Sequence, residues 1–295
     1  MIIITNINVY LLIISALLLP NSFAIIKTLV GDPYENVLVL GKFNITNTST
    51  IEFTPIKVLN QFGITSTNTI SPDHLQMAYS VIDKEWNTTI IIIDANTGIH
   101  MSSTKIPYFG YDLVLDNNSY LYGVSYNTTT KKYVFAKYNN HYEEQFTFTT
   151  HPQISTYGYN HYKKILYVVS DYSGEILAIN IKTKNIIRYS MNHHPILLIT
   201  NNKSPEQLIY FISYNDKVGR LQLESIDFKN NVTNELSFLP HGGIVWAGSY
   251  SHNNKKIYLS MTFDEKNMLL VFDLNSKLWK SFDFPYYRPL GMWEN

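Results

Sequence analysis

Residues 165–190 read ILYVVSDYSGEILAINIKTKNIIRYS, three apolar runs parted by two short polar breaks. Short runs rich in Ile, Val and Tyr, bounded by Ser, Asp, Gly and Asn, are the mark of strands joined by tight turns. Whether this meander stands alone or recurs decides the fold.

It recurs. LQMAYSVIDKEWNTTIIIIDANTG begins at Leu75, SYLYGVSYNTTTKKYVFAKYN at Ser119 and KKILYVVSDYSGEILAINIKTK at Lys163. EQLIYFISYNDKVGRLQLESIDFK begins at Glu206, and KKIYLSMTFDEKNMLLVFDLNSK at Lys255. Their shared tyrosines, Tyr79, Tyr122, Tyr167, Tyr210 and Tyr258, are 43, 45, 43 and 48 residues apart. Pro107, Pro152, Pro195, Pro240 and Pro285 keep step at spacings of 45, 43, 45 and 45. Proline cannot donate to a ladder, so these five mark connections between strands. Asn-rich and Ser-rich clusters before the tyrosines, such as DNNSY and HNNKK, read as hairpin turns.

Each period therefore holds four short strands, and a four-stranded repeat of about 40–50 residues is the blade of a β-propeller. Five complete periods run from Phe62 to Phe284. Residues 25–61 carry only about three strands' worth of pattern, and the tail PYYRPLGMWEN restarts the period, Gly291 standing where Gly110 and Gly243 stand. The simplest closure gives that tail to the first blade as its missing strand. The expected fold is all-β: a six-bladed propeller closed by its C-terminal strand, with seven blades the alternative. This repeat grammar resembles the β-propeller superfamily, near the secreted six- and seven-bladed propellers of the YVTN and NHL type, over nearly all of residues 25–295.

The first 24 residues read differently. Val9–Leu19 is an apolar core of 11 residues, followed by Pro20 and by Ser22 and Ala24 at the −3 and −1 positions of a cleavage site. A bilayer span needs about 20 apolar residues, so this is expected to be a signal peptide, with residues 25–295 one propeller domain. The expected location is extracellular or an endomembrane lumen. Asn44, Asn47, Asn87, Asn117, Asn127, Asn202 and Asn231 each open an N-x-S/T sequon, which suits a secreted glycoprotein.

The chain has no cysteine, so thiol chemistry and thiolate metal sites are excluded. Equal counts of 23 basic and 23 acidic residues give no electrostatic pull toward nucleic acid. No GxSxG elbow, GxGxxG loop or Walker motif occurs.

In propellers of the kind this chain resembles, the connections between blades lie on one face near the channel, and so do the hairpins joining second to third strands. That resemblance brings Tyr108, His151, His193, His194, His241, Tyr286, Tyr287 and Arg288 onto one rim. Imidazoles, phenols and a guanidinium at such a mouth suit a carboxylate, a sugar or a peptide. The candidate ligand residues are Tyr108, His151, His194, His241, Tyr286 and Arg288. Six-bladed lactonases place Asn and acidic residues around a channel metal. Asp112, Asp116, Asn160 and Asn201 stand at uneven distances from the junction prolines and read instead mostly as turn residues. The expected function is non-enzymatic binding of an extracellular protein, peptide or glycan by the junction face. The alternative is a secreted metal-dependent hydrolase or lactonase at the channel mouth. No cofactor or metal is expected; calcium or zinc enters only with that alternative.

Overall fold

The computed structural model describes residues 25–32, 37–45, 51–60, 64–71, 73–83, 88–106, 110–116, 118, 120–127, 129–138, 142–148, 154–160, 162–170, 174–200, 208–284 and 288–294. The signal-like residues 1–24 lie outside them.

The strands are β1 (Ile25–Asp32), β2 (Val37–Ile45), β3 (Ile51–Asn60), β4 (Ile64–Ile70), β5 (Gln76–Ile82), β6 (Thr88–Asp94), β7 (His100–Ile106) and β8 (Gly110–Leu115). There follow β9 (Leu121–Asn127), β10 (Lys132–Tyr138), β11 (Tyr142–Thr147), β12 (Ile154–Asn160), β13 (Ile165–Ser170), β14 (Glu175–Asn180), β15 (Ile186–Ser190) and β16 (His194–Ile199). The last are β17 (Leu208–Asn215), β18 (Arg220–Asp227), β19 (Val232–Phe238), β20 (Ile244–Ser251), β21 (Lys256–Phe263), β22 (Lys266–Asp273), β23 (Leu278–Asp283) and β24 (Arg288–Glu294). They form six antiparallel sheets of four: β4–β7, β8–β11, β12–β15, β16–β19, β20–β23, and β24-β1-β2-β3. The inner strands β4, β8, β12, β16, β20 and β24 meet their neighbours around the ring. The fold is a six-bladed β-propeller, and the C-terminal strand completes the first blade.

Burial follows from this stacking. Second and third strands are covered on both faces by adjacent blades, so they read as nearly continuous apolar runs. Outer strands such as HMSSTKI (β7) and IIRYS (β15) are covered on one side only and are mostly exposed. All six inner strands meet their second strands with a register shift, for example between Val245 and Ala247 in β20 and between Pro195 and Leu197 in β16. A bulge there bends the strand that lines the ring and re-aims its side chains.

The turns repeat as well. Asp94, Asn180, Asp227 and Asp273 each end a third strand and accept the backbone N–H groups two and three residues on, at 2.8–3.3 Å. The residue four on, Gly98, Lys184, Asn231 or Lys277, is left-handed. In first-to-second-strand turns Asp116 accepts the Asn118 and Tyr120 N–H groups, and Asn160 accepts that of Lys163.

Register corrects two details of the sequence reading. Tyr122, Tyr167, Tyr210 and Tyr258 occupy one position, three residues before the last pair ahead of each bulge. Blade two has Ala78 there and Tyr79 one residue on, so Tyr79 faces blade one rather than blade three. Period two makes a one-residue slip a change of face. Blade one has Lys27 at the tyrosine position, and its Nζ donates to the His74 carbonyl (2.9 Å) and Asn96 Oδ1 (2.7 Å) of blade two. Gly291 follows the bulge of β24, whereas Gly110 precedes that of β8 and Gly243 lies ahead of β20.

Candidate functional site

Antiparallel order puts two sets of connections on one face: outer strand to next inner strand, and second strand to third. Two contacts show the sets meeting. The His241 ring, from the β19–β20 junction, stacks on Phe263 at the end of β21, with centroids 5.2 Å apart and planes at 26°. A Cβ on Gly174, in the β13–β14 hairpin, would lie 3.7 Å from Nδ1 of His194.

Of the residues anticipated on this face, His194 opens β16 half-buried and His241 is half-buried in its junction. Arg288 opens β24, with its backbone opposite Gly31. Tyr108, His151 and Tyr286 lie outside the described residues, as do sequons Asn47, Asn87, Asn117 and Asn202. Asn44 is half-buried in β2, Asn127 is buried, and Asn231 is exposed in a turn on the opposite face.

Blades five and six give this face an apolar surface. Tyr214, Val218, Phe238, Ile244, Trp246 and Phe263 are 38–57 % exposed. Trp246 is the bulged residue of β20, which turns its indole outward; Nε1 donates to Thr262 Oγ1 at 2.8 Å, and that hydroxyl reaches Asn267 at 3.1 Å. Gly243 before it has φ +134°, and a Cβ would meet the Thr262 carbonyl at 2.3 Å, so a side chain has no room in this junction. Arg220 lies 5.2 Å above the Phe238 ring while its Nη2 donates to the Leu239 carbonyl at 3.0 Å. Single exposed apolar residues are ordinary, whereas six on neighbouring blades of one face are a surface.

Beside it, between blades four and five, lies a polar node. Gln222 and Glu224 of β18 and Ser213 of β17 point toward blade four and are buried. Asn215 Oδ1 accepts the Lys217 N–H (3.1 Å), which orients its amide. Asn215 Nδ2 then donates to Gln222 Oε1 (3.1 Å), leaving Gln222 Nε2 to face His193 Nδ1 at 2.5 Å. That nitrogen is also 3.2 Å from Glu224 Oε1, which accepts from the Ser213 hydroxyl. Glu224 Oε2 is buried with no hydrogen-bond partner among the described residues. Glu235, exposed on β19, is the cross-strand partner of Glu224.

Sequence reasoning placed His193 on this rim but missed Glu224 and Glu235. The two glutamates stand in RLQLESID and VTNELSF, outside every motif and junction that the repeat singles out. The available signal was that β18 is a third strand, covered on both faces, where any Gln or Glu must be buried.

Elsewhere the chemistry is structural. A cavity of about 170 Å³, lined by Tyr167, Tyr189 and Phe228 among others, lies between blades four and five near their opposite-face turns. Burial pushes the Tyr122 and Tyr138 phenols up to about 12, and raises Tyr159 and Tyr167 further, so all four remain protonated donors at neutral pH. Asp116 and Asn160 are engaged as turn acceptors.

No protein-family model and no curated protein sequence matches the chain. Solved structures do. TolB from Acinetobacter baumannii aligns at a TM-score of 0.68 and 12% identity, over 95% of this chain and 69% of that one. A chain of a nidogen/laminin complex aligns at 0.65 and 11%, over 92% and 97%. Hydrazine synthase of Kuenenia stuttgartiensis aligns at 0.55 and 12%, over 77% and 69%. At such identity the likeness is one of fold: the chain is a six-bladed member of the β-propeller architecture.

Proposed function

We propose that this chain is an exported, non-enzymatic propeller that binds a protein or peptide through the junction face of blades five and six. The observation that carries this reading is the set of six exposed apolar residues with Arg220 fixed among them. Interface cores are enriched in aromatics and Arg, and rigid aromatic anchors supply most of their energy. A partner that brings its own apolar side chains fits this surface better than a glycan does. One solved structure of similar fold is that of a nidogen/laminin complex, itself an assembly of two proteins. Export rests on the signal-like first 24 residues and the sequons.

The test is selection of a displayed peptide library on the immobilised protein, followed by binding of enriched peptides to F238A/W246A/F263A. These side chains are 38–40 % exposed, so the variant is expected to fold. Enriched peptides that lose at least tenfold in affinity support the reading, a loss of about 1.4 kcal/mol. No enrichment, or undiminished binding to the variant, sinks it.

A further inference from the structure

We propose that His193, Glu224 and Glu235 bind one zinc-class divalent cation on the junction face, where blade four hands over to blade five. One ligand atom from each residue lies within 4.8 Å of the others.

The node as it stands is short of positive charge. The Lys217–Asn215–Gln222 chain presents an amide N–H to His193 Nδ1, which makes that nitrogen an acceptor. The Glu224 carboxylate oxygen 3.2 Å away is an acceptor too, so two acceptor atoms stand side by side with only the Gln222 amide N–H to serve them. The same carboxylate is fully buried, receives one hydroxyl, and has its second oxygen unpartnered among the described residues. A buried carboxylate is expensive unless paired or bound to a metal. A cation beside these groups supplies the opposite charge that the buried carboxylate lacks.

The geometry suits zinc. Bonds of about 2.0–2.1 Å to nitrogen and oxygen in a tetrahedron set ligand atoms about 3.3–3.4 Å apart. The Nδ1 and Oε1 atoms are already 3.2 Å apart. Glu235 is exposed and long, so its carboxylate is free to close the remaining gap. One nitrogen and two carboxylates are too few and too nitrogen-rich for calcium, which takes six to eight oxygens. The Ser213 hydroxyl holds the Glu224 carboxylate from outside, as outer partners of metal ligands do, and the Gln222 N–H, which now uses the single Nδ1 lone pair, yields it to the ion. Three protein ligands leave a fourth position open toward solvent.

The full chain, stripped with chelator and dialysed, is titrated with zinc chloride by calorimetry, with calcium chloride in parallel. Uptake of one zinc per chain and a raised melting temperature are expected, with calcium far weaker. E235Q and H193Q are each expected to weaken zinc binding at least tenfold, while H241A, at the neighbouring junction, binds as the parent does. E235Q changes only an exposed side chain, so it separates lost metal from lost fold. No saturable one-to-one uptake overturns the proposal. Uptake that survives either ligand substitution overturns it equally.

Discussion

Thr28 Oγ1 donates to the carbonyl of Gly291 at 2.8 Å, joining residues 263 apart in sequence. The bond crosses the seam where β24 pairs with β1, and Thr28 is fully buried. T28V keeps the shape and leaves the Gly291 carbonyl without its partner, a loss of about 1–3 kcal/mol. Urea unfolding is expected to show a lower midpoint with an unchanged slope. Deleting residues 288–295 goes further, because it bares the β1 edge and removes the buried Met292. That chain is expected to aggregate, since an unpaired long edge templates association. A soluble, cooperatively folding truncation would show that closure is not what holds the ring.

Gly158 of β12 stands against Thr200 of the next blade, whose Cγ2 would be 1.9 Å from an added Cβ. Inner strands crowd toward the axis, so only a hydrogen fits here. G158A is expected to lower stability by about 1–3 kcal/mol, the usual range for overpacking. T200S removes the offending methyl and keeps the hydroxyl, and G158A/T200S is expected to recover most of the loss. Additive effects in that double-mutant cycle would show that the two residues do not meet.

The blade count was legible because proline, tyrosine and turn residues recur with one period, and the three-strand start and one-strand tail add to a blade. The slip at Tyr79 was not legible. Spacings of 43 and 44 residues look alike in a repeat, while the bulge that sets the register of β4 against β5 has no sequence mark at Thr65–Asn68. The junction face was partly legible: that both loop sets share it follows from antiparallel order, and His194 and His241 stand there. The apolar surface was hidden, since Phe238 and Ile244 lie at strand ends and carry the same Phe and Ile signal as the buried strands. Glu224 and Glu235 were hidden because only the neighbouring blade decides which strand faces are buried.

The sequons differ in what the fold leaves free. Asn231 is exposed in its turn, whereas Asn127 is buried, its Nδ2 donates to Glu144 at 3.2 Å, and its Oδ1 accepts the Thr129 and Thr130 N–H groups. A glycan on Asn127 would displace that bond and push into the blade. Protein made through a eukaryotic secretory route is therefore expected to carry a glycan at Asn231 and none at Asn127. Peptide mass spectrometry decides it: occupied Asn127, or bare Asn231 in exported protein, contradicts the expectation.

Lys27 is the remaining test of how blades one and two are tied. Burial lowers its pKa below the usual 10.5, and Asp94 offsets part of that. The folded chain therefore releases this proton at lower pH than the unfolded chain does. Between the two pKa values the unfolded state binds more protons, so stability gained from Lys27 rises with pH. It is complete above 10.5 and lost as pH falls through the folded value. At neutral pH the charged amine sits buried, with its two hydrogen bonds set against its desolvation. K27M is thus expected to differ little from the parent at pH 7, and to fall behind it as pH approaches 10. Urea midpoints of both proteins at the two pH values measure the gap. A gap that stays constant, or narrows with alkali, would mean that Lys27 is not held in a desolvating site.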